Sequence, residues 1–228
     1  MAIKAVITAD VVHSTQMTPA HRKWFTEKIN MILLFLIESQ LLQSNDYETY
    51  RGDSIQCLIQ QPSEALKISF ILKTGIKLLD PTKAQRIDNL RKSAPRKLEK
   101  QTFDIRISLG IGTVNVKTKK LSTSDGEAFQ LSGRRIDEMK KERQTFCITT
   151  ADDHKSELYA QSFLMDNILA HATPSQCEVI YWKLYGLNEV AIADKLDIKQ
   201  SAVNQRSTSG GWHAIEVMLK RFAEIYGH

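Results

Sequence analysis

The run Ala5-Val6-Ile7-Thr8-Ala9-Asp10-Val11-Val12-His13-Ser14-Thr15 is apolar and rich in β-branched residues up to an acid, then passes through hydroxyls toward a helix. Composition of this kind specifies a buried strand. A carboxylate at the end of a buried strand is costly unless it is paired or bound to a cation. Hydroxyls and backbone N–H groups that follow it into a helix N-terminus suit a phosphate. The stretch therefore reads as a metal-and-phosphate corner, with Asp10 as cation ligand and Ser14 and Thr15 as phosphate contacts.

The 228 residues leave room for two domains, and 42% hydrophobic with 25% charged residues is ordinary for a soluble globular chain. Met1-Ala2-Ile3-Lys4 runs straight into the strand pattern, without a secretory leader. The run Met31-Ile32-Leu33-Leu34-Phe35-Leu36-Ile37 is too short to cross a membrane and reads as a buried helix. Cys57, Cys147 and Cys177 are widely spaced, with no CxxC pair, which fits free thiols in a reducing compartment such as the cytoplasm. The net charge of +5 is uneven. Residues 82–120 hold 11 Lys/Arg against 3 Asp/Glu, and residues 172–228 hold 6 of each. The basic stretch reads as a solvated loop.

Following the chain, a strand over 3–12 leads to Thr18-Pro19, an N-cap with Pro at the first helical position. The helix it opens is expected to run to about residue 43, burying Phe25, Ile29, Ile32, Leu33, Leu36 and Leu41. Strands at 47–50 and 54–60 flank Arg51-Gly52-Asp53 as a tight hairpin. A second helix extends from Pro62-Ser63 to about 79, and a short one is expected over 83–92. An alternating strand over 103–112 continues into a second strand over 113–121. Ser124-Asp125-Gly126-Glu127 has capping-box spacing for a helix to about 141, before a last strand at 145–150. From Ala151 onward the pattern is helical only, with a further capping box at Thr173-Pro174-Ser175-Gln176. The expected fold is α/β, an α+β sandwich of ferredoxin-like or nucleotidyl cyclase-like type over 1–150. A connecting helix at 151–171 then leads to a small all-α helix-turn-helix domain at 172–228.

Asp53 closes the hairpin, and if its strand neighbours the first one its carboxylate converges with that of Asp10. Two adjacent carboxylates repel unless a divalent ion or a proton separates them, and hard oxygen ligands suit Mg²⁺ or Mn²⁺. The stretches 7–15, Gly52-Asp53-Ser54, Ile105-Arg106-Ile107-Ser108-Leu109-Gly110-Ile111-Gly112 and 126–134 occur in the order and spacing of the motifs of class III nucleotidyl cyclases, which residues 3–150 resemble. The resemblance implies that Asp10 and Asp53 hold two divalent ions against a nucleoside triphosphate. It places Arg134 at the charge-stabilising arginine and Gln130 at the ribose-positioning amide one turn before it, in a site formed across a dimer with the metal acids from one protomer and the arginine from the other. The base-reading lysine of that family falls on Thr49 and its partner on Thr123, and the terminal strands carrying a phosphate-binding lysine are missing. Thr49 and Thr123 thus join Ser14 and Thr15 as candidate nucleotide contacts.

In Ala191-Ile192-Ala193-Asp194-Lys195-Leu196-Asp197-Ile198-Lys199-Gln200-Ser201-Ala202-Val203, the inward seam is Ile192, Leu196, Ile198 and Val203, and Asp197 falls where a left-handed turn residue is needed. This is a helix-turn-helix pattern. Its recognition helix would present Lys199, Gln200, Ser201, Asn204, Gln205 and Arg206 to DNA, with amides suited to adenine and cations to guanine or phosphate. The 173–185 helix resembles the lead helix of sigma-factor-region-four-like modules, and the whole chain resembles the SatD-like family. The function expected is a cytoplasmic, homodimeric DNA-binding transcriptional regulator whose cyclase-like part senses a nucleotide. The alternative is a metal-dependent nucleotidyl cyclase with altered base specificity.

Overall fold

A computed structural model describes residues 2–50, 53–78, 104–115, 118 and 120–227. The first strand, β1 (Ile3–Val11), lies at the centre of a five-stranded sheet in the order β2-β3-β1-β4-β5, with β2 Tyr47–Tyr50, β3 Ser54–Ile59, β4 Ile105–Thr113 and β5 Phe146–Thr150. β1 runs antiparallel to β3 and β4, whereas β4 and β5 are parallel. A central strand is covered on both faces, so it must be apolar at both parities. Ala5, Ile7, Ala9 and Val11 enter the main core, while Val6 packs on the other face with Leu58, Leu121, Ala128 and Phe129.

Two helices supply the main-core side, α1 (Pro19–Glu38) and α2 (Ala65–Leu78). Thr18 caps α1 as expected, its hydroxyl accepting from the His21 N–H, and Phe25, Ile29, Ile32, Leu33 and Leu36 are buried. The helix stops five residues earlier than its apolar pattern suggests. Gln40 is left-handed at φ 59°, Leu41 N–H returns to Leu36 O at 2.9 Å and Gln40 N–H to Ile37 O at 2.9 Å. That is a Schellman turn, and the reversal it makes buries Leu42.

The opposite face carries α3 (Glu127–Glu142). α3 sits so close that a Cβ at Gly110 of β4 would lie 2.4 Å from Ala128 O and 2.7 Å from Ser132 N. The capping box expected here is not formed. Gly126 is the N-cap at φ 152°, pressed against Thr113 and Val114, and the Glu127 carboxylate accepts from Thr113 N–H instead. Nor is there a second strand over 113–121 among the described residues, since Leu121–Thr123 winds into a 3-10 turn under Leu58. The helix expected over 83–92 lies outside the described residues.

The chain then becomes helical, with α4 (Lys155–His171), α5 (Pro174–Leu184), α6 (Glu189–Leu196), α7 (Gln200–Ser209) and α8 (Trp212–Tyr226). The Thr173–Gln176 capping box at the start of α5 is present in both directions. Packing is continuous across the segment expected to divide two domains. Ile180, Tyr181 and Leu184 of α5 and Ile215, Met218 and Phe222 of α8 belong to the same core cluster as Ile7 and Phe70. Two lysines of α2 are buried beneath this packing, and the second of them ties the two parts together. Lys73, fully buried on α2, meets Asp104 at 2.8 Å and donates to Ile105 O. Lys77, one turn on, donates to Leu169 O and Ala170 O at the end of α4, where a cation complements the helix dipole. Burial lowers the Lys73 pKa, with Asp104 pulling the other way. Among the described residues no helix is long and apolar enough to cross a membrane.

Candidate functional site

Sheet register decides what meets Asp10. Asp10 pairs with Ser54 on β3 and with Arg106 on β4, so Tyr50, Ser54, Asp10 and Arg106 form one row on the α3 face. Asp53 lies in the turn just before β3, and its carbonyl accepts from Val11 N–H at 2.9 Å, so it is the backbone of the second acid that meets the end of β1.

The surroundings of Asp10 are not those of a metal ligand. Its Oδ1 accepts from Arg106 Nη1 at 3.0 Å, and its Oδ2 meets Lys140 Nζ at 3.1 Å. Arg106 is anchored further by donating from Nε to Gln144 O at 3.1 Å, and Lys140 also meets Asp137 at 3.3 Å. Burial depresses the Lys140 pKa, but Asp10 and then Asp137 outweigh it and the net shift is upward. The ammonium is therefore fully charged at neutral pH. Among the described residues no group of three or more His, Cys, Asp or Glu is arranged to hold a metal. The pair of divalent ions implied by the resemblance does not fit a carboxylate whose two oxygens are already held by cations. Sequence reading missed both partners. Arg106 stood inside a quoted motif, but its role follows only from the β1–β4 register, and Lys140 is 130 positions away from Asp10 in the chain.

The remaining candidates are scattered. Ser14 and Thr15 lie in a single 3-10 turn, Ser14–Gln16, and Ser14 O accepts from Arg22 at 2.9 Å. The α-helix begins only beyond them, at Pro19. Thr49 pairs with Ile55, a core residue, and so lies on the sheet face opposite Asp10. Thr123 is engaged locally, its hydroxyl donating to Lys120 O at 3.0 Å. Gln130 and Arg134 are exposed on α3, and Gln130 donates to Asp125 at 3.2 Å. The next residue, Arg135, is the buried one, held by Glu138, Glu142 and Gln144. Beside Asp10 a second polar row crosses the sheet. The Tyr50 hydroxyl lies 2.9 Å from Glu48 and 3.1 Å from Gln56, Gln56 donates to Thr8, and Thr8 donates to Ser132 at 3.0 Å. Burial, reinforced by Glu48 and opposed by Ser122, pushes the Tyr50 phenol up to about 12.

The α6–α7 pair is built differently. Asn188 caps α6 by accepting from Ala191 N–H at 2.9 Å. Asp197 is left-handed at φ 51° and ψ 50°, with Ile198 N–H returning to Ala193 O at 3.0 Å, another Schellman turn. Three residues thus separate two helices that share a small core of Val179, Ile192, Ala193 and Val203. Lys199, Gln200, Ser201, Asn204 and Gln205 are exposed, and among the described residues none of their side chains takes a hydrogen-bond partner. Ser201, Asn204, Gln205 and Thr208 follow helical spacing along one outward stripe. Arg206 turns away from the stripe and faces Glu178 of α5 at 3.7 Å.

No protein-family model matches the chain, and no curated protein is similar to it. Among solved structures, a bacterial light-regulated adenylyl cyclase is similar over 64% of this chain and 75% of its own, at 13% identity and a TM-score of 0.38. The adenylyl cyclase CyaB from P. aeruginosa is similar over 60% of this chain and 73% of its own, at 15% identity and a TM-score of 0.34.

Proposed function

We propose that the protein is a DNA-binding transcriptional regulator of the SatD-like type, acting in the cytoplasm as a homodimer. The observation that carries this reading is the outward stripe on α7. A helix of ten residues, entered through a three-residue turn in which Asp197 is left-handed, exposes amides and hydroxyls without side-chain partners among the described residues. Exposed amides at helical spacing on a helix anchored by the buried Val203 and Ser207 suit the donor and acceptor edges of bases in a major groove. α7 is then the recognition helix of a helix-turn-helix, with Asn204 and Gln205 as base readers and Lys199 near phosphate. In a two-fold dimer, two such helices would address half-sites roughly 34 Å apart. The α/β part serves as the platform for that dimer and as a sensor of a nucleotide or phosphate ligand.

Residues 172–228 balance 6 Lys/Arg against 6 Asp/Glu, so phosphate neutralisation by this part is weak and the salt dependence should be shallow. The 11 Lys/Arg of residues 82–120 add charge from elsewhere in the chain. Binding to a pool of genomic fragments, followed by fluorescence anisotropy at two salt concentrations, tests the reading. A retained subset of fragments with salt-dependent affinity is expected; no binding at low salt ends the proposal.

A further inference from the structure

Two cations from different elements converge on Asp10, and they are held in different ways. Arg106 is 11% exposed, stands opposite Asp10 by strand register and is tied to Gln144 O, so its guanidinium is part of the sheet. Lys140 is 49% exposed and comes from the last turn of α3, a helix whose seat on β4 is set by the close approach at Gly110. Each takes one carboxylate oxygen. A divalent ion bound to Asp10 would need those same oxygens, at about 2.0–2.6 Å, and the direction away from Oδ2 is already filled by an ammonium.

We infer that Lys140 stands in place of a divalent cation at Asp10, a counter-ion built into the chain that excludes Mg²⁺ and Mn²⁺ from this corner. The charge the carboxylate requires is supplied by α3, so Asp10 is satisfied without a ligand. The acid is retained as a clamp between β1, β4 and α3 rather than as a metal ligand. Asp53 is held beside Asp10 by the Val11–Asp53 backbone bond. Removing the Lys140 charge would therefore leave the Asp10 carboxylate with Arg106 alone and its Oδ2 open to a cation. This inference does not depend on whether α7 binds DNA.

The test is a titration of Mn²⁺ into the full-length protein at low ionic strength, with free Mn²⁺ followed by its electron paramagnetic resonance signal. Wild type, Lys140→Gln, Lys140→Arg and the double variant Lys140→Gln with Asp10→Asn are compared. Lys140 is half exposed, so its variants should fold, and circular dichroism with a thermal melt checks that they do. Lys140→Gln is expected to bind Mn²⁺ at least about tenfold more tightly than wild type, since a competing unit charge within contact distance has been removed. Lys140→Arg should match wild type, and Asp10→Asn should erase the gain. Wild-type binding as tight as that of Lys140→Gln overturns the inference, as does a folded Lys140→Gln variant that gains nothing.

Discussion

The Asp10 corner and the α7 stripe are both polar clusters, yet their charges and amides are spent in opposite ways. At Asp10, Arg106 and Lys140 are paired, and the neighbouring Tyr50, Gln56, Thr8 and Ser132 hydrogen-bond to one another across the sheet. On α7, the side chains of Gln200, Ser201, Asn204 and Gln205 have no partner among the described residues and face outward. A polar group satisfied inside the chain contributes to stability; one left exposed at a fixed spacing is available to a ligand. The motif that looks most chemical in the sequence is thus internally closed. The one that looks like a plain polar helix is open.

The sharpest way to break this comparison is through the small core beneath α7. Val203 is fully buried against Val179, Ile192 and Ala193. Val203→Asp would place an unpaired carboxylate there, at a cost of about 3–5 kcal/mol. Because that cluster is separate from the main core, the damage should stay local. Hydrogen exchange is expected to show α6 and α7 losing protection while β1 amides keep theirs; equal loss in β1 would mean the two regions are one cooperative unit. A change of similar kind on the other side is Gly110→Ala. Its Cβ would meet backbone atoms of α3 at 2.4 and 2.7 Å, and backbone cannot swing aside as a side-chain end does. About 3 kcal/mol of destabilisation is expected, at the top of the usual overpacking range, read from the urea midpoint. The displaced α3 should also carry Lys140 away from Asp10.

Much of the fold was legible because it rests on short-range physics. The Thr18 and Thr173 caps, the hairpin around residue 53, and the left-handed Asp197 each depend on residues within one turn of each other. What escaped was set by distance in the chain. Lys140 and Arg106 meet Asp10 only through register and the docking of α3, and neither is encoded locally. The apparent capping box at 124–127 failed because Glu127 found a better partner across space, in Thr113. Thr49 has the spacing of a family position, but strand alternation sends it to the other face. Nor could spacing reveal that α5 and α8 close the same core as β1, since amphipathic helices do not announce their partners.

Contrasting two neighbours on α7 tests the open side. Asn204 is exposed and without a side-chain partner among the described residues, whereas Arg206 is engaged with Glu178. On the best-binding DNA fragment, Asn204→Ala should cost about 1–2 kcal/mol, near tenfold in affinity, and relax the preference for one base pair. Arg206→Ala should change affinity by less than about twofold, as is usual when a surface ion pair alone is lost. If the arginine variant is the worse of the two, phosphate or guanine contact by Arg206 outweighs its pairing, and the stripe is drawn in the wrong place.

The smallest effect concerns the seam between α4 and α8. The Glu157 carboxylate accepts from Arg221 Nε at 3.0 Å and Nη2 at 3.3 Å, and lies 3.4 Å from His154. The Arg221 hydrogen bonds, opposed by slight burial and aided by His154, hold its pKa below the ordinary glutamate value. A carboxylate whose folded pKa is depressed stabilises the fold fully above its unfolded pKa of about 4.3 and ceases to do so as pH falls through the folded value. Glu157→Gln should therefore lower the melting temperature slightly at pH 7 and leave it unchanged once the pH has fallen through the folded value, where wild type is protonated as well. The pair is solvent-screened, so the difference at neutral pH should shrink in high salt. A difference that persists undiminished in acid would mean that the glutamate acts by shape rather than charge. The seam would then resemble the closed Asp10 corner less than its ion pairs suggest.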